Sequence, residues 1–127
     1  MEISVNKLKE MLGNGKKSIK STKSQGKYGN IRTKREGINF HSKLEADFYS
    51  YLLEEKRRGF VEYFLMQVPF ILPGNVKYLV DFQIFNEDLS VEYVDTKGVM
   101  TPMSNLKIKQ VEDLYPVKIK IVKRGDF

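Results

Sequence analysis

Three apolar runs, residues 61–72, 77–85 and 91–97, follow one another, broken by Pro73-Gly74-Asn75 and by Asn86-Glu87-Asp88. Such runs, broken by turn formers, predict three successive β-strands. Two of them carry a carboxylate inside the run: Asp81 in Tyr78-Leu79-Val80-Asp81-Phe82, and Asp95 in Val94-Asp95-Thr96-Lys97-Gly98. Side chains two apart on a strand share a face, so Asp95 and Lys97 are expected side by side. A neighbouring strand brings Asp81 within reach. Two carboxylates and an ammonium converging on a sheet are costly to bury unless they bind something. The economical reading is a divalent cation held by the acids, with the lysine beside a nucleophilic water. The structural alternative is a pair of strand-end acids ion-paired to Lys97 and a neighbour.

Helices are expected on both sides of these strands. Ser42 is a good N-cap, Glu45 follows three residues later as in a capping box, and Gly59 is placed to end the helix. Leu44, Phe48, Tyr51 and Leu52 follow helical spacing, which sets Glu45 at the edge of the buried stripe. There its carboxylate needs a cap, an arginine or a metal. A second helix is expected over 103–115, closed by Pro116, and then a last strand in which Val117, Ile119 and Ile121 alternate with Lys118, Lys120 and Lys123. Upstream, residues 31–34 and 38–40 read as a small hairpin around Arg35-Glu36-Gly37, and residues 3–12 as a short amphipathic helix.

Charge divides the chain in two. Residues 1–36 hold ten Lys and Arg against three acids, whereas residues 37–127 hold twelve against thirteen. The excess of positive charge therefore belongs to an N-terminal arm. Lys16, Lys17, Lys20, Lys23, Lys27, Arg32, Lys34 and Arg35 stand there among Gly, Ser, Asn and Thr, the composition of a flexible segment. Such an arm can neutralise phosphates without reading sequence. The organisation expected is a short helix and basic arm over 1–30, then one α/β domain over 31–127. Lys107 and Lys109 on the second helix, with Lys118, Lys120, Lys123 and Arg124 after it, are further candidates for a DNA-facing surface. The aromatic group Phe48, Tyr49, Tyr51, Phe60, Tyr63 and Phe64 reads as core, and His41 as a surface residue ahead of the helix cap.

With no cysteine and a single histidine, thiolate sites and histidine-rich zinc sites are excluded. An oxygen-only donor set favours a hard cation, Mg²⁺ or Mn²⁺. No apolar run approaches the roughly 20 residues of a membrane helix. Met1-Glu2-Ile3 does not begin as a secretory signal does. The expectation is a cytoplasmic protein with no membrane partner.

A helix bearing an acid, then Asp, then Asp-x-Lys on successive strands, then helix and strand, resembles the PD-(D/E)xK nuclease superfamily. The segments Lys27-Tyr28-Gly29-Asn30, Gly37-Ile38-Asn39-Phe40-His41-Ser42-Lys43-Leu44-Glu45-Ala46, Gln67-Val68-Pro69-Phe70, Tyr78-Leu79-Val80-Asp81-Phe82 and Val94-Asp95-Thr96-Lys97-Gly98 are similar to those of a family of small phage and prophage proteins. That family was long catalogued as a domain of unknown function. The likeness spans about residues 27–123, with Val80 where the superfamily signature has proline.

The resemblance implies a restriction-endonuclease-like mixed central sheet flanked by helices, and a metal-dependent DNA endonuclease. Asp81 and Asp95 would hold the cation with the Thr96 carbonyl, Glu45 would complete the shell, Lys97 would orient the water, and Gln67 would stand beside the centre. Small superfamily members often select DNA shape, so cleavage of branched DNA such as Holliday junctions is the first expectation, with a homodimer to pair two active sites. A nicking or end-processing nuclease, or a non-catalytic DNA-binding or inhibitor protein on the same fold, are the alternatives.

Overall fold

The computed structural model describes residues 32–127. The expected helix over 3–12 and the lysines of the arm lie outside the described residues. A two-stranded hairpin comes first, β1 (Thr33–Arg35) and β2 (Ile38–Phe40). Its two-residue loop has positive φ at both positions, 51° at Glu36 and 79° at Gly37, the twist that suits a tight hairpin. Arg35 lies in the strand, pairing with Ile38, and not in the loop where the sequence had set it.

Helix α1 (Lys43–Arg57) starts where the sequence predicts: the Ser42 hydroxyl accepts the Glu45 N–H at 3.1 Å. Its end is built by Gly59, whose φ of 87° no other residue type adopts freely. The Gly59 N–H reaches the Lys56 carbonyl and the Phe60 N–H reaches Glu55, the paired bonds of a Schellman motif.

Strands β3 (Val61–Leu72), β4 (Val76–Asn86) and β5 (Val91–Thr96) form an antiparallel meander. Helix α2 (Pro102–Leu114) then carries the chain to β6 (Ile119–Val122), which lies parallel to β5, so the sheet is mixed with order β3-β4-β5-β6. Thr101 caps α2 by accepting the Ser104 N–H, with Pro102 in the first turn. Thr101→Ala should lower stability by about 1 kcal/mol in urea unfolding. The last strand begins two residues later than expected, because the Val117 N–H turns back onto the Tyr115 carbonyl.

Two cores result, one under each helix. Phe48 and Leu52 of α1 pack on Phe82, Ile84, Val94 and Val122. Ile108 and Val111 of α2 pack with Tyr78, Val80 and Ile119. Phe82 is fully buried, with the rings of Phe48 and Phe64 meeting it edge-on. Burial of a side chain of that size contributes roughly 1.5–3 kcal/mol.

The division of β4 between these cores positions everything that follows. Val80 and Phe82 are two apart, and an evenly extended strand keeps them on one face. Burial alternates without a break along the strand, and this one face serves both cores, Tyr78 and Val80 under α2, Phe82 and Ile84 under α1. On β3 the facing level holds Gln67, a non-glycine residue with φ of 54°, between the Met66–Phe82 and Val68–Val80 pairs. On the other side, the pairing of β4 with β5 ends at Phe82–Val94. Beyond that rung the strands part, and the first residues past it are Asp81 and Asp95.

Candidate active site

Where a ladder stops, its backbone N–H groups lose their partners and must find others. Here the acids supply them. The Asp81 N–H donates to Asp95 Oδ1 at 2.8 Å, and Asp81 Oδ2 accepts both the N–H and the hydroxyl of Thr96, each at 2.9 Å. Two carboxylates thus replace two rungs and hold the mouth of the parting strands. The second oxygen of Asp95 has no hydrogen-bond partner among the described residues, although the side chain is only 1% exposed. A buried carboxylate oxygen left in that state is expensive.

Gln67 ties this pair to α1. Its Nε2 donates to Glu45 Oε1 and to Asp81 Oδ1, both at 3.2 Å. Gln67 makes these bonds from a left-handed backbone, at a level where β3 and β4 have no paired residues. Ser42 caps the Glu45 N–H, while the buried Glu45 side chain accepts from Gln67 and, at 3.6 Å, faces His41 Nδ1. His41 is well exposed, as expected, yet it borders the site.

Crowding of carboxylates shows in their acidity. Burial, and then the charge of Asp81, pushes the Glu45 carboxyl up from 4.5 to about 7, with the His41 backbone N–H and Gln67 opposing. Burial raises the Asp95 carboxyl above 3.8, while the Asp81 N–H and the Lys97 charge pull it back. Both groups hold a proton more tightly folded than unfolded. Their contribution to stability is therefore full below the unfolded values and is lost as pH climbs through the folded ones. Without a divalent cation, stability should fall between about pH 4.5 and 7. Glu45→Gln should flatten that fall by on the order of 2–3 kcal/mol in urea melts across the range. Asp47, whose carboxyl Arg124 and Arg35 hold low, titrates beneath this window.

Glu45, Asp81, Thr96 and Lys97 line one cavity of about 630 Å³, which Ser104 and Arg124 also border. Asp95 sits behind that wall. The caps of both helices, Ser42 and Thr101, open onto the same space, so α1 and α2 turn their N-termini toward it. Helix N-termini favour negative charge. Lys43, Thr101 and Ser104 were not singled out from the sequence, because nothing local reports that the two helix starts converge.

The other expected contacts scatter. Arg32, Lys34 and Lys109 are exposed and Lys107 is half-buried, all away from the cavity wall. Arg35 donates to Asp47 at 2.8 Å and to Ser50 at 3.1 Å, fastening the hairpin to α1. Among the described residues no group of three or more acids or histidines forms a metal cage. Glu45, Asp81 and Asp95 are instead linked pairwise, the first two through the Gln67 amide and the last two through the Asp81 N–H. The donor set still fits a hard cation. It is all oxygen, one Asp95 oxygen is unpartnered, and Glu45 and Asp81 repel each other across Gln67.

Residues 25–125 match the family described as a protein of unknown function (DUF1064), and the chain belongs to that family. No curated protein and no solved structure matches it. No helix among the described residues is long and apolar enough to cross a membrane.

Proposed function

We propose that this DUF1064 protein is a metal-dependent DNA endonuclease of phage or prophage origin, with a restriction-endonuclease-like sheet, acting on branched DNA such as four-way junctions. The observation that carries the reading is the gathering of Glu45, Gln67, Asp81, Asp95 and Lys97 where β4 leaves β5. A merely structural clasp would leave no unpartnered oxygen on a buried Asp95 and no pair of repelling carboxyls across Gln67. Both features cost stability and both are relieved by a cation.

Asp81 and Asp95 would hold Mg²⁺ or Mn²⁺, with the Thr96 carbonyl and Glu45 as the remaining protein oxygens. Bound there, the cation supplies Lewis acidity toward the scissile phosphate and a more acidic water. The chain does the rest. Gln67 fixes the spacing of Glu45 and Asp81 through its two amide hydrogens. Lys97 donates to the attacking water or to the phosphate oxygen that gains charge, a role of several kcal/mol in comparable sites. As the new P–O bond forms, the bond to the leaving sugar oxygen breaks, and that oxygen takes a proton. A homodimer would set two such sites on the two strands to be cut.

The absence of a three-acid cage among the described residues favours a second reading, a non-catalytic DNA-binding protein on the same fold. One experiment separates them. The full chain is incubated with linear, nicked, single-stranded and four-way DNA in Mg²⁺, Mn²⁺ or chelator. We expect four-way DNA to be cut with either cation and left whole in chelator. Binding without cutting under every condition would establish the second reading.

A further inference from the structure

Asp47 of α1 holds two arginines at once: Arg35 Nη1 lies 2.8 Å from Oδ1, and Arg124 Nη1 lies 2.6 Å from Oδ2. One guanidinium is enough to anchor the hairpin, and Arg35 does so with the help of Ser50. The second belongs to the segment after β6 and lines the same cavity as Glu45, Asp81 and Lys97. We infer that Arg124 is a phosphate-binding residue of this cavity, preset by Asp47 to grip a DNA phosphate next to the one attacked.

Three features carry this. The trio of two arginines and one aspartate keeps a net positive charge, so neutralising Asp47 has not used up the cations. Arg124 is 59% exposed and Asp47 is its side-chain partner among the described residues, which leaves most of its five donors facing outward. Its backbone is also held. The Asp126 carboxylate accepts the Lys123 N–H at 2.8 Å, the Asp126 N–H returns to the Lys123 carbonyl, and Gly125 takes φ of 94° between them. A guanidinium fixed at both ends loses little freedom on binding, and its planar fork suits two phosphate oxygens. Exposed ion pairs add little to stability, so the pairing is better spent on orientation. Lys43, in the first turn of α1, borders the cavity as a second cation.

The inference rests on the DNA reading above, and its test is built to fail separately. Binding of the full chain to a labelled four-way DNA is measured in chelator across a salt series. Arg124→Ala should weaken binding about tenfold and make log K against log salt shallower by about 0.9, one phosphate contact. Arg124→Lys keeps the charge and should keep the slope while losing part of the affinity, because the fork is gone. The thermal midpoint of either variant should move by less than about 4 °C. Lys77→Ala, at an exposed position of β4 that does not line the cavity, should change neither affinity nor slope by as much. An unchanged slope and affinity in Arg124→Ala would overturn the inference, even if the protein cuts DNA. So would full affinity in a folded Arg124→Lys together with a collapsed melting point in Arg124→Ala. Arg124-dependent binding in a chain that never cuts would uphold it while removing the nuclease.

Discussion

Asp95→Asn is expected to leave the chain folded and to reduce Mg²⁺-dependent cutting of four-way DNA by at least about 10³-fold. The substitution keeps volume and keeps the oxygen that accepts the Asp81 N–H. It places an amide nitrogen where the unpartnered oxygen now lies and removes a charge that burial already disfavours. Urea unfolding at neutral pH should accordingly show unchanged or higher stability. What is lost is a charged oxygen for the cation, so the thermal stabilisation that Mg²⁺ gives the parent chain should vanish with the activity. Cutting at the parent rate in Mg²⁺ would sink the nuclease assignment. Asp81→Asn is a poorer probe. Each oxygen of Asp81 faces a donor, Gln67 on one side and Thr96 on the other, so an amide nitrogen must oppose one of them. That variant should lose stability as well as activity, and its inactivity alone would say less.

The contrast between these two aspartates shows what the sequence could and could not carry. Both were legible as acids inside apolar runs, and the runs themselves set the strands to within a residue or two. The cap at Ser42 and the stop at Gly59 were equally local, and both hold. The parting of β4 from β5 was not legible. It falls level with Gln67, whose φ is 54°, and nothing in Met66-Gln67-Val68 announces a left-handed residue. The same holds for Arg35, Asp47 and Arg124. Arg35 read as one more cation of a basic arm, and its fixed place emerges only when the hairpin lies on α1. Arg124 stood among a run of cations and was separated from Lys118, Lys120 and Lys123 only by a carboxylate 77 residues away. Periodicity reports the faces of elements; it does not report which ends of them meet.

Lys97→Ala divides the roles within the site more finely. Lys97 continues β5 by donating its N–H to the Val122 carbonyl, a bond any residue but proline can make. Its side chain is half-buried, and among the described residues no carboxylate lies within ion-pair distance of it. The acids are therefore not simply neutralised by this lysine, as the structural alternative required. Its charge is felt by Asp95, whose carboxyl it helps to lower. Removing it should raise that carboxyl further and move the rising limb of the cutting profile to higher pH. Cation binding should survive, because a protonated ammonium ligates nothing. A cation at a hundredfold over its dissociation constant should still stabilise the variant by about 2.7 kcal/mol. The rate of cutting with bound cation should fall about 10²–10³-fold, since a donor aimed at developing charge is gone. Calorimetry with Mg²⁺ and single-turnover cutting, made on the same preparation, decide the matter. Loss of cation binding together with cutting would make Lys97 a counter-ion of Asp95 and pass the water-orienting role to Gln67, whose amide already spans Glu45 and Asp81.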